Sequence, residues 1–125
     1  MALTTTIVRS DNGPLGRVCV ANVTFDNSYP TGGETFDLTA APFTGTDAFT
    51  AVDSIAFVEG PYTSAGAPIA RTLCSGLRYA PAAARAVATG KLFADKEDGT
   101  SGVTTEVGNT TDLSTVVCRV QIKGR

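Results

Sequence analysis

Apolar and polar residues alternate with a period of two along most of this chain, and turn-forming residues interrupt the alternation at short intervals. The clearest case lies near the C-terminus, where Val116, Cys118, Val120 and Ile122 alternate with Val117, Arg119, Gln121 and Lys123. This is the pattern of a strand with one buried and one wet face. Residues 22–26 and 34–39 repeat the spacing, with Val23 and Phe25 in the first run and Phe36 and Leu38 in the second. Between them Tyr29-Pro30 favours an extended or turn dipeptide, and Gly32-Gly33 accepts positive φ without steric cost. The stretch therefore predicts a β-turn-β unit.

The other elements follow from the same signals. Residues 4–9 are rich in Thr and include β-branched Ile7-Val8, which predicts a first strand or an arm. Asn12-Gly13-Pro14 breaks it off, so this piece is free to lie across a neighbour. Residues 17–25 read as a long strand in which Val18 and Val20 share one parity and Val23 and Phe25 the other. That slip near Ala21-Asn22 predicts a bulge or a bend between sheets. Residues 40–51 form a loop anchored by Phe43 and Phe49. In residues 52–59, Ile55 and Phe57 face one way and Ala56 and Val58 the other, as in a central strand or one covering an interface. Residues 68–79 predict a strand pair or one bent strand, and residues 91–94 and 103–107 short strands. Residues 81–90 carry proline first, alanines within and glycine last, a helix signature, although the surrounding β pattern favours a strand and turn.

About eight short strands and no firm helix select an all-β antiparallel sandwich or barrel. Periodicity leaves jelly-roll, immunoglobulin-like and other Greek-key orders open. The missing Cys-Trp-Cys arrangement disfavours a true immunoglobulin domain. The expected organisation is an N-terminal arm or edge strand over 1–14 and a single β-sandwich domain over 15–125.

Composition changes this picture in a few places. A chain of 125 residues buries about two-thirds of its unfolded surface, enough for one core. With no Trp, one Met and many Ala, Gly and Thr, that core is thin and gains from association. Ten basic and twelve acidic residues give a net charge of −2, well mixed along the chain. No run of like charge tracks a nucleic-acid backbone or an anionic membrane, and no stretch approaches the roughly 20 apolar residues of a membrane span. Residues 1–9 lack the basic lead and apolar run of a signal peptide, so cytosolic synthesis is expected. The glycosylation patterns at Asn22 and Asn109 mean nothing without secretion.

Candidate chemistry is sparse. Cys19, Cys74 and Cys118 are widely spaced in apolar runs, which suits buried, reduced thiols rather than a metal site or a disulfide framework. The absence of histidine excludes hydrolases with a His base and His-ligated metal centres. No carboxylate pair stands out for glycoside hydrolysis. The expectation is a protein that is not an enzyme and has no cofactor and no metal. Asp95, Glu97 and Asp98 beside Gly99 offer oxygens for Ca²⁺, but Lys96 intrudes and no Glu closes the loop, so a solvated turn is the better reading. Tyr29, Tyr62 and Tyr79 sit beside proline or loops, either as interface anchors or as rings packed under their own loops. Arg71, Arg78, Arg85 and Arg119 suit an acidic partner surface or simply the wet faces of strands.

The run Val23-Thr-Phe-Asp-Asn-Ser-Tyr-Pro-Thr-Gly-Gly-Glu34 and the closing stretch from Glu106 to Arg125 resemble small structural proteins of tailed-phage virions, of the head decoration or cement kind. The resemblance covers residues 18–40 and 87–125, with a weaker middle. It implies a jelly-roll-like β fold and no catalytic residues. It also implies a place on the capsid exterior after synthesis in the host cytoplasm, with the major capsid protein and further copies of the chain as partners. A homotrimer is favoured over a dimer, and neither nucleic acid nor membrane is expected as a partner. Candidate interface residues are Thr5, Ile7 and Arg9 in the N-terminal piece, Tyr29, Pro30 and Tyr62 beside loops, and Arg71 and Arg78. The competing reading is a virion-surface module recognising carbohydrate or host, or a tail-associated structural protein. Aromatic residues at 7% without Trp stand against glycan binding.

Overall fold

The computed structural model describes residues 3–14, 16–81, 83 and 90–125. In chain order the strands are β1 (Thr4–Gly13), β2 (Gly16–Thr24), β3 (Glu34–Phe36), β4 (Val52–Tyr62), β5 (Gly76–Ala80), β6 (Gly90–Glu97), β7 (Thr104–Glu106) and β8 (Val117–Gly124). They form two antiparallel sheets, and the protein is an all-β sandwich. The first sheet has the order β1-β2-β8-β4, and the second β3-β6-β5. Strand β7 lies beside β3 along the same edge of β6, because β5 occupies the other edge. Among the described residues the only helical piece is a 3-10 turn at Gly45–Asp47, and no helix is long and apolar enough to cross a membrane.

Strands β2 and β8 form the centre of the first sheet, and their register explains the core. Cys19 lies opposite Ile122, Ala21 opposite Val120 and Val23 opposite Cys118, and all six side chains are buried. Pairing strands of matching parity stacks their apolar sets on one face. The facing sheet supplies Phe36, Leu92 and Ala94, and the long loop between β3 and β4 supplies Leu38, Phe43 and Phe49. Phe36, Phe43 and Phe49 meet edge to face, with centroids 5.9 and 6.3 Å apart.

Several expectations are corrected. The runs on either side of Tyr29-Pro30 are not a hairpin, because β2 belongs to one sheet and β3 to the other. The connector is a crossing between layers. The parity change in β2 is not a bulge: Cys19, Ala21, Val23 and Phe25 form an unbroken inward row, while Val18 and Val20 are half-exposed on the outer face. The irregularity lies instead in β1, between Ile7 and Arg9. Strand β1 runs through Asn12-Gly13 and pairs with β2 from Thr4 opposite Thr24 to Gly13 opposite Gly16, as an edge strand. Strand β4 is not central but the opposite edge, with Ile55 and Phe57 packed against the core and Val58 exposed. Of residues 68–79 only those that fall in β5 (Gly76–Ala80) are in a strand. The helix-or-strand question over residues 81–90 falls, apart from Pro81, Ala83 and Gly90, outside the described residues.

Candidate interaction surface

The crossing between sheets is built around Tyr29, which is 1% exposed. Its backbone joins the loop before β8: the Tyr29 N–H donates to the Thr111 carbonyl at 2.9 Å, and the Thr110 N–H donates to the Tyr29 carbonyl at 2.7 Å. Its hydroxyl donates to Glu106 Oε1 at 2.8 Å and accepts the Ala94 N–H of β6 at 3.1 Å. Glu106 Oε1 also accepts the Gly32 N–H at 2.7 Å, and Asn109 Oδ1 accepts the Thr31 N–H at 3.2 Å. Burial, the dominant cause, raises the phenol pKa, and the Glu106 carboxylate adds to it. Tyr29 is therefore no interface anchor. It ties three elements together from inside, as a buried tyrosine does when its hydroxyl finds partners. Pro30 beside it is half-buried.

The remaining candidates do not form one patch. Thr5 and Ile7 point inward from β1, opposite Val23 and Ala21, and Ile7 packs against the core. Arg9 points outward and pairs with Asp11 at 3.2 Å, with each side chain 66% exposed. Tyr62 sits at the end of β4, at the far edge of that sheet, with its hydroxyl 3.3 Å from Glu59. Arg71 and Arg78 belong to the other sheet's side. Arg71 donates to Glu97, and Arg78 donates to Asp95 at 3.0 Å while its guanidinium lies 4.1 Å from the Phe93 ring centroid.

These pairs also account for the acidic run at the end of β6. Asp95 and Glu97 each face an arginine, and Asp98 Oδ1 accepts the N–H groups of Thr100, Ser101 and Gly102 at 2.8–3.0 Å. Hydrogen bonds from Ser101 and Thr100 hold its carboxyl pKa down at about 2. The three carboxylates thus turn to separate partners rather than to one centre. Among the described residues no group of three or more His, Cys, Asp and Glu side chains is placed to hold a metal ion.

The outer face of the first sheet is the surface that sequence reasoning missed. Val8 on β1 and Val58 on β4 are 49% and 48% exposed at its two edges. Between them lie Val20, Gln121 and Ala56 in one cross-strand row, and Asn22 and Arg119 in the next. Arg119 donates to Asn22 Oδ1 at 2.9 Å, and Val8, Arg9, Val20 and Arg119 line a shallow pocket of about 210 Å³. The signal was the parity of Val18 and Val20, which marks an apolar row on the outer face rather than a bulge.

Two buried groups stand apart. Glu34 is 4% exposed, and its pKa is pushed up to about 6, first by burial and then by the charge of Asp26. Cys74 and Cys118 are pushed up by burial to about 11 and about 12, and Cys19 is raised for the same reason. None of the three is in a disulfide. Such thiols sit in the core as small hydrophobes.

Compared with protein families, curated proteins and solved structures, the chain gives no match.

Proposed function

We propose that this chain is a structural protein of a tailed-phage virion, a decoration or cement protein that binds the outside of the head and strengthens it. The observation that carries the proposal is the joining of the two stretches that resemble such proteins. Residues 23–34 and 106–116 are remote in sequence, yet hydrogen bonds through Phe25, Asp26, Tyr29, Thr31 and Gly32 lock them into one unit. The jelly-roll-like character belongs to the same proposal. It draws support from the nested order, with β2 paired to β8 and β3 to β6.

Cementing needs no active centre. It needs a rigid module and contacts repeated by symmetry, so that many weak interactions act together. The partners in this reading are the major capsid protein and further copies of the chain, at the capsid exterior, after synthesis in the host cytoplasm. The test compares heads with and without the protein. Added protein should co-purify with heads and raise their resistance to heat or chelation. Absence from purified particles, or equal robustness without it, overturns the proposal. Binding on a glycan array with no effect on heads supports the recognition-module reading instead.

A further inference from the structure

Strand β1 is an unusual edge. Among the described residues no strand and no backbone hydrogen bond covers the side of Thr4–Gly13 that faces away from β2. The other edges are short or broken. Strand β4 loses register at three points and contains Gly60-Pro61, β5 spans five residues, and β3 and β7 span three each. Proteins blunt exposed edges with proline, lysine, bulges or shortness, because a long free edge is a template for pairing. Strand β1 has ten residues, no proline, no lysine and one irregularity, at Val8.

We infer that β1 is a self-association edge, at which two copies of this chain pair β1 against β1, antiparallel, about a twofold axis at Ser10. Two four-stranded sheets then join into one of eight.

The position of the axis follows from hydrogen-bond phase and charge. Gly13 lies opposite Gly16, with only two residues between them. A connection that short closes on a pair that exchanges both backbone bonds, and the exchange recurs at every second residue. Gly13, Asp11 and Arg9 therefore bond toward β2, whereas Asn12 and Ser10 point their N–H and C=O groups outward. With the axis at Ser10, the two Ser10 residues exchange both bonds. Arg9 then stands opposite the partner's Asp11, and Asp11 opposite the partner's Arg9. These are non-bonded pairs, the closer kind, with Cα atoms about 4.5 Å apart. Arg9 and Asp11 already lie 3.2 Å apart on one face, and the axis turns this single ion pair into a ring of four alternating charges. No other register of this strand pairs both charges with opposites. A twofold pair takes the place of the trimer that the resemblance favours, and it does not depend on the capsid reading.

The experiment is sedimentation of the full chain over about 10 μM to 1 mM, the range in which a contact of this small size shows itself. The wild type should move toward twice its 12.8 kDa as concentration rises. Arg9→Asp makes the edge doubly acidic and Asp11→Arg makes it doubly basic, so each alone should self-associate more than about tenfold more weakly. A one-to-one mixture of the two should recover the dimer, which an ion pair within a single chain cannot produce. Ser10→Pro removes an outward N–H while keeping both charges, and proline is tolerated at such an edge position. It should be monomeric with an unchanged circular dichroism spectrum. A wild type that stays monomeric at 1 mM, a mixture that does not recover, or a dimeric Ser10→Pro overturns the inference. Should a charge variant fail to fold, exchange of the wild-type Ser10 and Asn12 amides decides: slowing with concentration supports the pairing, and no slowing sinks it.

Discussion

Replacing Tyr29 with phenylalanine removes one oxygen from the centre of the crossing between sheets and leaves the ring in place. Two interactions go with it. The Ala94 N–H, buried in β6, loses its acceptor at 3.1 Å, and Glu106 loses its donor at 2.8 Å. A buried donor left without a partner costs about 1–3 kcal/mol, and a hydrogen bond to a charged acceptor contributes about 1.5–3 kcal/mol. Glu106 keeps the Gly32 N–H and is only partly buried, so the second loss falls toward the low end of its range. The expected total is about 2–4 kcal/mol. For a chain of this length each kcal/mol moves Tm by about 3–6 °C, so the melting point should drop by at least about 6 °C. Urea titration is the assay, with an unchanged slope showing that the folded state keeps its extent. Tyr62→Phe is the control, because that hydroxyl reaches only an exposed Glu59 at 3.3 Å, and its effect should stay within about 0.5 kcal/mol. A double-mutant cycle of Tyr29→Phe with Glu106→Ala should give a coupling of about 1 kcal/mol or more. A Tyr29→Phe chain as stable as the wild type would refute the reasoning, since an outward-facing tyrosine is the case in which the hydroxyl does not matter to the isolated fold.

Two further outcomes are expected. Glu34 titrates near 6 in the fold, above its ordinary 4.5, so the unfolded chain releases this proton first and folding stability falls as pH rises from about 4.5 through 6. The raised pKa corresponds to about 2 kcal/mol, and Glu34→Gln should flatten that part of a plot of urea midpoint against pH. A wild-type profile that rises with pH over this interval would contradict the burial of the carboxyl. The three thiols should resist alkylation at pH 8 in the native protein and react fully in denaturant, because burial holds Cys74 at about 11 and Cys118 at about 12. Rapid native labelling of Cys118, counted by mass spectrometry, would contradict its place in the core.

The sequence by itself determined that this chain is built of short strands, and it marked where most of them lie. Period-two alternation at residues 116–123 places Val116, Cys118, Val120 and Ile122 on one face whatever the strand pairs with, because successive side chains must point to opposite sides. It also showed Phe43 and Phe49 as anchors of an otherwise polar loop. Partners were another matter. Whether residues 22–26 pair with residues 34–39 is not written in either run, since both alternate equally well; only the closing of β2 onto β8 sends them to different sheets. Val18 and Val20 read as a phase slip because alternation alone does not say which face is inward, and the register with Gln121 and Lys123 decided it. Tyr29 beside a proline and two glycines reads as a loop-tip aromatic. Its burial depends on Ala94, Glu106 and Thr111, residues 65 to 82 positions away. Local chemistry thus settled the conformation of each segment, while neighbours remote in the chain chose which face of it would be dry.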